Sequence, residues 1–398
     1  MNNFDEMNRI LNKQKEFFVK NGPPSIDLRI DRLQRLKALI MDNRYDFIDA
    51  LNSDFGNRSK NASMLSDIYG IMPSINQAIK NIKQWNKVEK KSPNFPFGLL
   101  GAKSYIKYEP LGTVGMISPW NFPVNLAFVP LVSIFAAGNQ VMHKPSEHTP
   151  ITSSLLKELC DKSYDENEFA TCLGGPEVGE SFTQLKFDHL LYTGGGSVAK
   201  HVMNAASKNL VPCTLELGGK SPVVIGKSAD LKTTAKRIMF GKTLNAGQIC
   251  LAPDYVVVHK DQKDEFIKET KDAVSQYYPS LKDNEDYTSV INQKHYDRLK
   301  DLLDDAIEKG AHVDEINPSN EDFSQQEFYK IPPTIVTNTT DDMKIMQEEI
   351  FGPLLPVVEY DEIGEATALI NSKDKPLGLY YFGNNTAEEN DLLNKTSS

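Results

Sequence analysis

Apolar residues recur at helical spacing between about Ser25 and Trp85, as in Leu33, Leu36, Leu39 and Ile40, and β-branched runs are few there. The spacing predicts a helical lead-in segment. From Asn86 to Lys107 the chain turns Lys-rich and then passes through Ser92-Pro93-Asn94-Phe95-Pro96-Phe97-Gly98, whose prolines preclude a long helix. An extended connector or hairpin is expected. From Gly112 short β-rich runs alternate with helical stretches. Thr113–Ser118, Gln140–His143, Phe169–Leu173, His189–Thr193 and Thr214–Leu217 read as strands, with helices near 125–137, 150–161 and 197–207 and the stretch Glu177–Gln184 between them. A second run has strands at Pro222–Ile225, Tyr255–His259, 331–337 and 354–359 and helices near 230–244, 262–277 and 294–309. This alternation predicts an α/β fold of parallel sheets covered by helices on both faces, divided into two lobes.

Composition narrows the partners. The 398 residues are 40% hydrophobic and 25% charged, as in an ordinary globular chain. The 44 basic against 54 acidic residues give a formal charge of −10, which repels phosphate backbones and argues against nucleic acid. Four cysteines without a C-x-x-C pair argue against a disulfide scaffold or zinc site and for a reducing, cytoplasmic setting. No metal site is expected, since the seven histidines lack metal-binding spacing. The amino terminus has no apolar core of a secretory signal, and Val124 to Gly138, broken by Asn125, Pro130 and Ser133, reads as a buried helix rather than a membrane span.

Four cues carry chemistry. Thr193-Gly194-Gly195-Gly196-Ser197-Val198-Ala199 follows a predicted strand, opens a predicted helix and fits G-x-G-x-x-A, the arrangement that brings backbone against a pyrophosphate. An acid about 20 residues on would then bind ribose hydroxyls, and Glu216 lies there. Gly247-Gln248-Ile249-Cys250 places a thiol after a flexible glycine, where it can attack a carbonyl; burial as a small hydrophobe is the common fate of a cysteine, and Cys160, Cys172 and Cys213 keep that reading. Pro119-Trp120-Asn121-Phe122-Pro123 brackets an amide that can either donate to an oxyanion or cap the next helix. Leu215-Glu216-Leu217-Gly218-Gly219-Lys220 sets a carboxylate among leucines, where half-burial would raise it toward general-base range; a strand-end Glu is otherwise simply solvated.

In order and text these segments, with Lys144-Pro145-Ser146-Glu147 and Glu348-Glu349-Ile350-Phe351-Gly352-Pro353, resemble the aldehyde dehydrogenase superfamily over about residues 25 to 398. The text from Gly247 to Tyr255 is similar to the class 3 branch. His143-Lys144-Pro145-Ser146-Glu147 and Thr193-Gly194-Gly195-Gly196-Ser197 look like bacterial coniferyl aldehyde dehydrogenases.

The resemblance implies a Rossmann-like cofactor domain over 1–85 and 106–214, a bridging or oligomerisation hairpin over 86–105, and a catalytic domain over 215–398. It implies that Cys250 is the nucleophile, that Asn121 and the Cys250 backbone N–H form an oxyanion hole, and that Glu216 activates the deacylating water, away from the ribose. Lys144 and Glu147 match the positions that hold the adenosine ribose. Glu349, with Phe351 beside it, matches the one that holds the nicotinamide ribose. Gly194, Gly195, Ser197 and Trp120 complete the cofactor set. NAD is the expected cofactor, with NADP the alternative, because Glu147 repels a 2′-phosphate while Lys144 offsets that charge. The expected substrate is an aldehyde, aromatic like coniferyl aldehyde or of medium chain, and Trp120, Phe122 and Phe128 suit an aromatic one. Two departures stand out. Gly195 and Ala199 replace Ser and Gly of many relatives, and the chain ends at Ser398 where family members continue with a strand that walls the substrate pocket and pairs subunits. With that segment a homodimer is implied; without it an exposed sheet edge is expected. A second reading is then a truncated, catalytically weak nucleotide-binding or interaction protein. A third, a Cys/His hydrolase, needs a histidine beside Cys250.

Overall fold

The computed structural model describes residues 3–398, which form two units: the chain up to Ala50 with Ser63–Glu216, and Leu51–Ala62 with Leu217–Ser398. The short segment Leu51–Ala62 thus joins the second unit although helical sequence surrounds it.

In the first unit β1 (Glu89–Lys91) and β2 (Ser104–Ile106) form an exposed antiparallel hairpin. The remaining strands, β3 (Thr113–Ile117), β4 (Gln140–Lys144), β5 (Phe169–Thr171), β6 (His189–Thr193) and β7 (Cys213–Glu216), make an all-parallel sheet in the order β5-β4-β3-β6-β7. The chain starts at the centre, winds outward to β5, crosses back and winds outward to β7. Helices Ile26–Asp42, Asn125–Ala137 and Pro150–Ser163 pack together on one face, and Asn3–Asn21, Pro176–Thr183 and Gly196–Ser207 on the other. Cover on both faces is why β3, β4 and β5 are buried along nearly their whole length, polar residues of β4 included. Leu33, Leu36, Leu39 and Ile40 are buried as their spacing predicts. The first helix goes unread in the sequence because charged residues outnumber its buried stripe of Met7, Ile10, Leu11 and Gln14. Helix Asn125–Ala137 stops at Gly138, whose φ of +88° and whose approach to the Arg29 guanidinium, 2.6 Å from an ideal Cβ, both demand glycine.

The second unit holds β8 (Pro222–Ile225), β9 (Tyr255–His259), β10 (His312–Glu315), β11 (Thr334–Thr337), β12 (Leu354–Tyr360) and β13 (Tyr380–Phe382) in the order β10-β11-β12-β9-β8-β13, parallel except for β10. Alternate side chains feed two cores. Val223, Ile225, Val256 and Val258 pack with Ile238 and Phe266, whereas Val224, Tyr255 and Val257 pack with Leu299 and Leu302. The edge strands β10 and β13 escape the sequence reading: one is polar and half-exposed, the other three residues long.

The first unit is tied together by charge. Arg32 Nε lies 2.9 Å from one Glu168 oxygen and Arg35 Nη1 3.0 Å from the other, linking helix Ile26–Asp42 to the start of β5. Burial pushes the Glu168 carboxyl up, but Arg35 and Arg32 outweigh it and hold the carboxyl below its usual range. Its contribution is therefore present above the unfolded-state value of about 4.3 and fades as pH falls through the lower folded-state value. Glu168→Gln should lower the unfolding free energy at pH 7 by about 2 kcal/mol, with the gap to wild type closing below pH ~4, as read by urea titration at both pH values.

Candidate active site

Parallel strands deliver their exits to one edge, and in the first unit every candidate residue sits on such an exit. Beyond β3 come Ser118, Trp120 and Asn121. Asn121 is buried, and the Trp120 ring meets His148 edge-on at 6.5 Å. The following helix has Val124, not Asn121, as its N-cap residue; its Val124 and Asn125 N–H groups donate to Asp67 Oδ1, both at 3.2 Å, from the π-helical turn Met64–Ile68. The capping alternative for Asn121 is thereby taken over by a carboxylate some 50 positions away in sequence. Phe128 does not face an open pocket, as the sequence reading had it, but is fully buried edge-on to Phe47 at 6.2 Å. Its place on the inner face of an apolar helix explains the difference.

At the end of β4, Lys144 is buried and its Nζ donates to Glu147 Oε2 at 2.9 Å. Partial burial pushes Glu147 up, but Lys144 and a backbone N–H outweigh it and hold the carboxyl below its usual range. Beyond β6 the glycines open helix Gly196–Ser207. An ideal Cβ on Gly194 would lie 2.4 Å from Tyr192 Oη, whereas Gly195 and Gly196 have nothing within 4 Å. Backbone amides at a helix start are therefore open to close approach, as a pyrophosphate requires. Gly195, Ser197 and Val198 are exposed. The Gly194 N–H donates to the Glu216 carbonyl at 3.0 Å, strapping the glycine turn to the end of β7. The Glu216 side chain is exposed, not half-buried, because β7 is the sheet's edge strand.

The second unit carries its candidates on the opposite kind of edge, just before the strands begin. Cys250 precedes β9, is partly exposed and is in no disulfide. The turn leading to it is left-handed: Asn245, Ala246 and Gly247 have φ of +51°, +52° and +72°. Two non-glycine residues in that region cost energy. The buried Gln248 amide offsets it by donating to the carbonyls of Asn245 (2.9 Å) and Ser289 (3.0 Å) and accepting from Ile291 N–H (3.0 Å). Gly247 is also required sterically, since a Cβ would come 2.3 Å from the Gly352 carbonyl oxygen. Tyr380 Oη donates to the Leu251 carbonyl at 2.6 Å. Burial, then the neighbouring Cys250, pushes that phenol up.

Glu349 lies before β12, with Phe351 two residues on at φ +48°. Burial pushes the Glu349 carboxyl up to about 7, and its Oε1 is buried without a hydrogen-bond partner among the described residues. That oxygen would lie 2.1 Å from a Cβ on Gly218, so the Gly218-Gly219 text leaves room for it. Beneath these segments a buried ion pair joins Lys220 to Asp254. Lys220 also donates to the carbonyls of Ile345 and Glu348, both at 2.8 Å, and Asp254 Oδ2 accepts the Ile350 N–H at 2.8 Å. Arg298 donates to the carbonyls of Glu349 (3.3 Å) and Ile350 (2.5 Å). Asp254, Arg298 and Gln248 were not singled out in the sequence; only the polar character of Gln248 and Asp254 amid apolar text hinted at them. Of the other cysteines, Cys160 and Cys172 are buried, and burial pushes the Cys172 thiol up to about 12, whereas Cys213 is only partly buried, against the sequence reading, because it lies on the edge strand β7. Among the described residues no helix is long and apolar enough to cross a membrane.

In the first unit an open amide cradle and a carboxylate paired with a buried lysine have the chemistry to meet phosphates and ribose hydroxyls. The chain matches the sequence model of the aldehyde dehydrogenase family over residues 5–397. It is 53% identical over 393 residues to a probable coniferyl aldehyde dehydrogenase of Caulobacter vibrioides, covering 98% of this chain and 81% of that one. It is 47% identical to the coniferyl aldehyde dehydrogenase of a Pseudomonas strain, with 99% and 81% covered. The substrate-bound structure of Staphylococcus aureus AldH superposes with a TM-score of 0.91 at 37% identity, covering 98% of this chain and 83% of that one.

Glu349 gives a test with a definite sign. Below the unfolded value of about 4.3 the carboxyl is neutral in both states; above about 7 the fold must hold it charged, so stability drops across that interval. Glu349→Gln should therefore stabilise the protein by roughly 2 kcal/mol at pH 8 and leave it unchanged near pH 4. An equal effect at both pH values in urea unfolding would point to sterics instead.

Proposed function

The chain belongs to the aldehyde dehydrogenase family, and from that premise we propose that Cys250, Asn121 and Glu216 carry out its reaction. It is an NAD(P)-dependent enzyme that oxidises an aldehyde to the carboxylic acid. The Cys250 thiolate adds to the aldehyde carbon, and the carbonyl oxygen becomes an oxyanion that takes hydrogen bonds from the Asn121 amide and the Cys250 backbone N–H. Such a donor contributes roughly 2.7–4 kcal/mol to the barrier reduction. A bound nicotinamide dinucleotide supplies the acceptor for the hydride leaving the adduct. Cys250 is left as a thioester, Glu216 takes a proton from water, the hydroxide attacks the acyl carbon, and the thiolate departs with release of the acid. The observation that carries the assignment is the turn before Cys250: two strained residues clamped by a saturated, buried Gln248 fix a partly exposed thiol, which a merely space-filling cysteine does not need. The exposure of Glu216 suits a base that must reach water.

For the cofactor, Gly194, Gly195 and Ser197 would hold the pyrophosphate, Lys144 and Glu147 the adenosine ribose, Glu349 with Phe351 the nicotinamide ribose, and Trp120 flanks the set. NAD is preferred over NADP, because Lys144 is already committed to Glu147 and the charge facing a 2′-phosphate stays unfavourable. An aromatic aldehyde of the coniferyl type is the substrate we favour, on the strength of the two relatives so named and the partly exposed rings of Trp120 and Phe122. Exposed Phe95, Leu99 and Leu100 on the hairpin support a homodimer, and the free thiols a cytoplasmic setting. A binding-only role is not favoured, since the similarity runs through the segments of both Cys250 and Glu216.

Cys250→Ser is expected to fold and bind NAD as before but to lose turnover; continued aldehyde oxidation by the serine variant would remove the thiol from the mechanism. Glu216→Gln should give a rapid burst of about one NADH per chain and then stall, because only deacylation is impaired. Stopped-flow absorbance separates this from a uniformly slow first turnover, which would contradict the role. Comparing kcat/KM for coniferaldehyde and hexanal, with NAD and NADP in turn, decides substrate and cofactor.

A further inference from the structure

A buried contact joins the exits of β3 and β4, and none of the roles above uses it. His143, the penultimate residue of β4, is fully buried opposite Met116 of β3. Its Nε2 lies 2.8 Å from Oγ of Ser118, the first residue beyond β3, which is itself buried and whose N–H donates to the Lys144 carbonyl at 3.2 Å. The other ring nitrogen, Nδ1, is buried with no hydrogen-bond partner among the described residues. The imidazole and the Ser118 hydroxyl thus share one hydrogen bond, whose direction follows the ring tautomer. Burial, and then the Lys144 ammonium, push the imidazole down to about 3, which keeps the ring neutral. An interior position of a parallel sheet is ordinarily apolar, and a half-satisfied imidazole there costs stability. What it delivers is a fixed direction for the chain leaving β3.

Three residues later comes Asn121. The far end of the same loop is held by Asp67, which accepts from Val124 and Asn125 N–H. The loop is thus clamped at its strand end by His143 and at its helix end by Asp67, with the Asn121 amide between. We propose that His143, acting through Ser118, is a positioning residue that aims the Asn121 amide for turnover. This rests on the reading of Asn121 as the oxyanion donor.

The test is steady-state kinetics with coniferaldehyde and NAD, or hexanal should the wild type prefer it, on Ser118→Ala, His143→Leu, His143→Gln and Asn121→Ala. Misaiming a donor by a fraction of an ångström should lower kcat about tenfold in Ser118→Ala and His143→Leu while leaving KM for NAD within about twofold. His143→Gln, whose amide nitrogen reaches the same place, should recover most of the loss. Placed on Asn121→Ala, Ser118→Ala should cost nothing more, because the group it aims is gone. Full kcat in Ser118→Ala, the same tenfold loss on the Asn121→Ala background, or a loss that merely tracks the folded fraction by circular dichroism would overturn the proposal. Should His143→Leu fail to fold, Ser118→Ala, which removes a single hydroxyl, decides alone. Unimpaired kcat in Asn121→Ala would instead sink the oxyanion reading, and the proposal with it.

Discussion

Parallel strand pairing is the constraint on which the rest depends. When strands of a sheet run the same way, their exit loops lie on one edge, their entry loops on the other and the return helices on the faces, so irregular backbone is gathered at two edges where chemistry can be done. In the first unit this gathers Asn121, Lys144, the Gly194–Gly196 turn and Glu216 on the exits of four adjacent strands, although nearly a hundred residues of chain separate the first from the last. In the second unit the same rule operates from the other side. The segments before β8, β9 and β12 carry the double glycine, Cys250 and Glu349 to one edge.

Irregular backbone gathered in this way has to be held, and the two units hold it differently. The second unit uses buried charge: the Lys220–Asp254 pair reaches three backbone groups of the Ile345–Ile350 segment, and Arg298 reaches two more carbonyls there. A charge removed from water this far is tolerable only when each remaining donor and acceptor is used, and here the carbonyls supply what the ion pair leaves open. The first unit relies on single polar side chains at loop ends, Asp67 and the His143–Ser118 pair. Glu349 itself is not fully satisfied: among the described residues one of its oxygens is buried and unpaired, and burial pushes its carboxyl up, which marks it as a group kept ready for something other than its own fold.

How much of this was legible follows the range of each interaction. Strands His189–Thr193, Pro222–Ile225 and Tyr255–His259 are read to the residue, because buried parallel strands are unbroken apolar runs bounded by turn formers. The polar edge strand β10 and the charged first helix are not, because their burial is conferred by neighbours rather than by their own periodicity. The same division runs through the site. Cys250, Glu216 and the glycine turn stand in local text that announces them, whereas Arg298 is joined to Glu349 across 51 residues and Asp67 to Val124 across 57. Phe128 illustrates the cost of reading proximity in sequence as proximity in space: seven residues from Asn121, it points into the core.

By itself the sequence determined the alternation of strands and helices, the two sheets, and the short motifs whose residue types limit what chemistry is feasible, since these depend on propensity and spacing along the chain. Only the tertiary structure decided which of those residues are buried, which loops are clamped and by what, and which carboxyl is pushed up and which held down. Those properties come from groups brought together across many tens of residues, where desolvation and hydrogen-bond geometry, rather than local preference, set the energy.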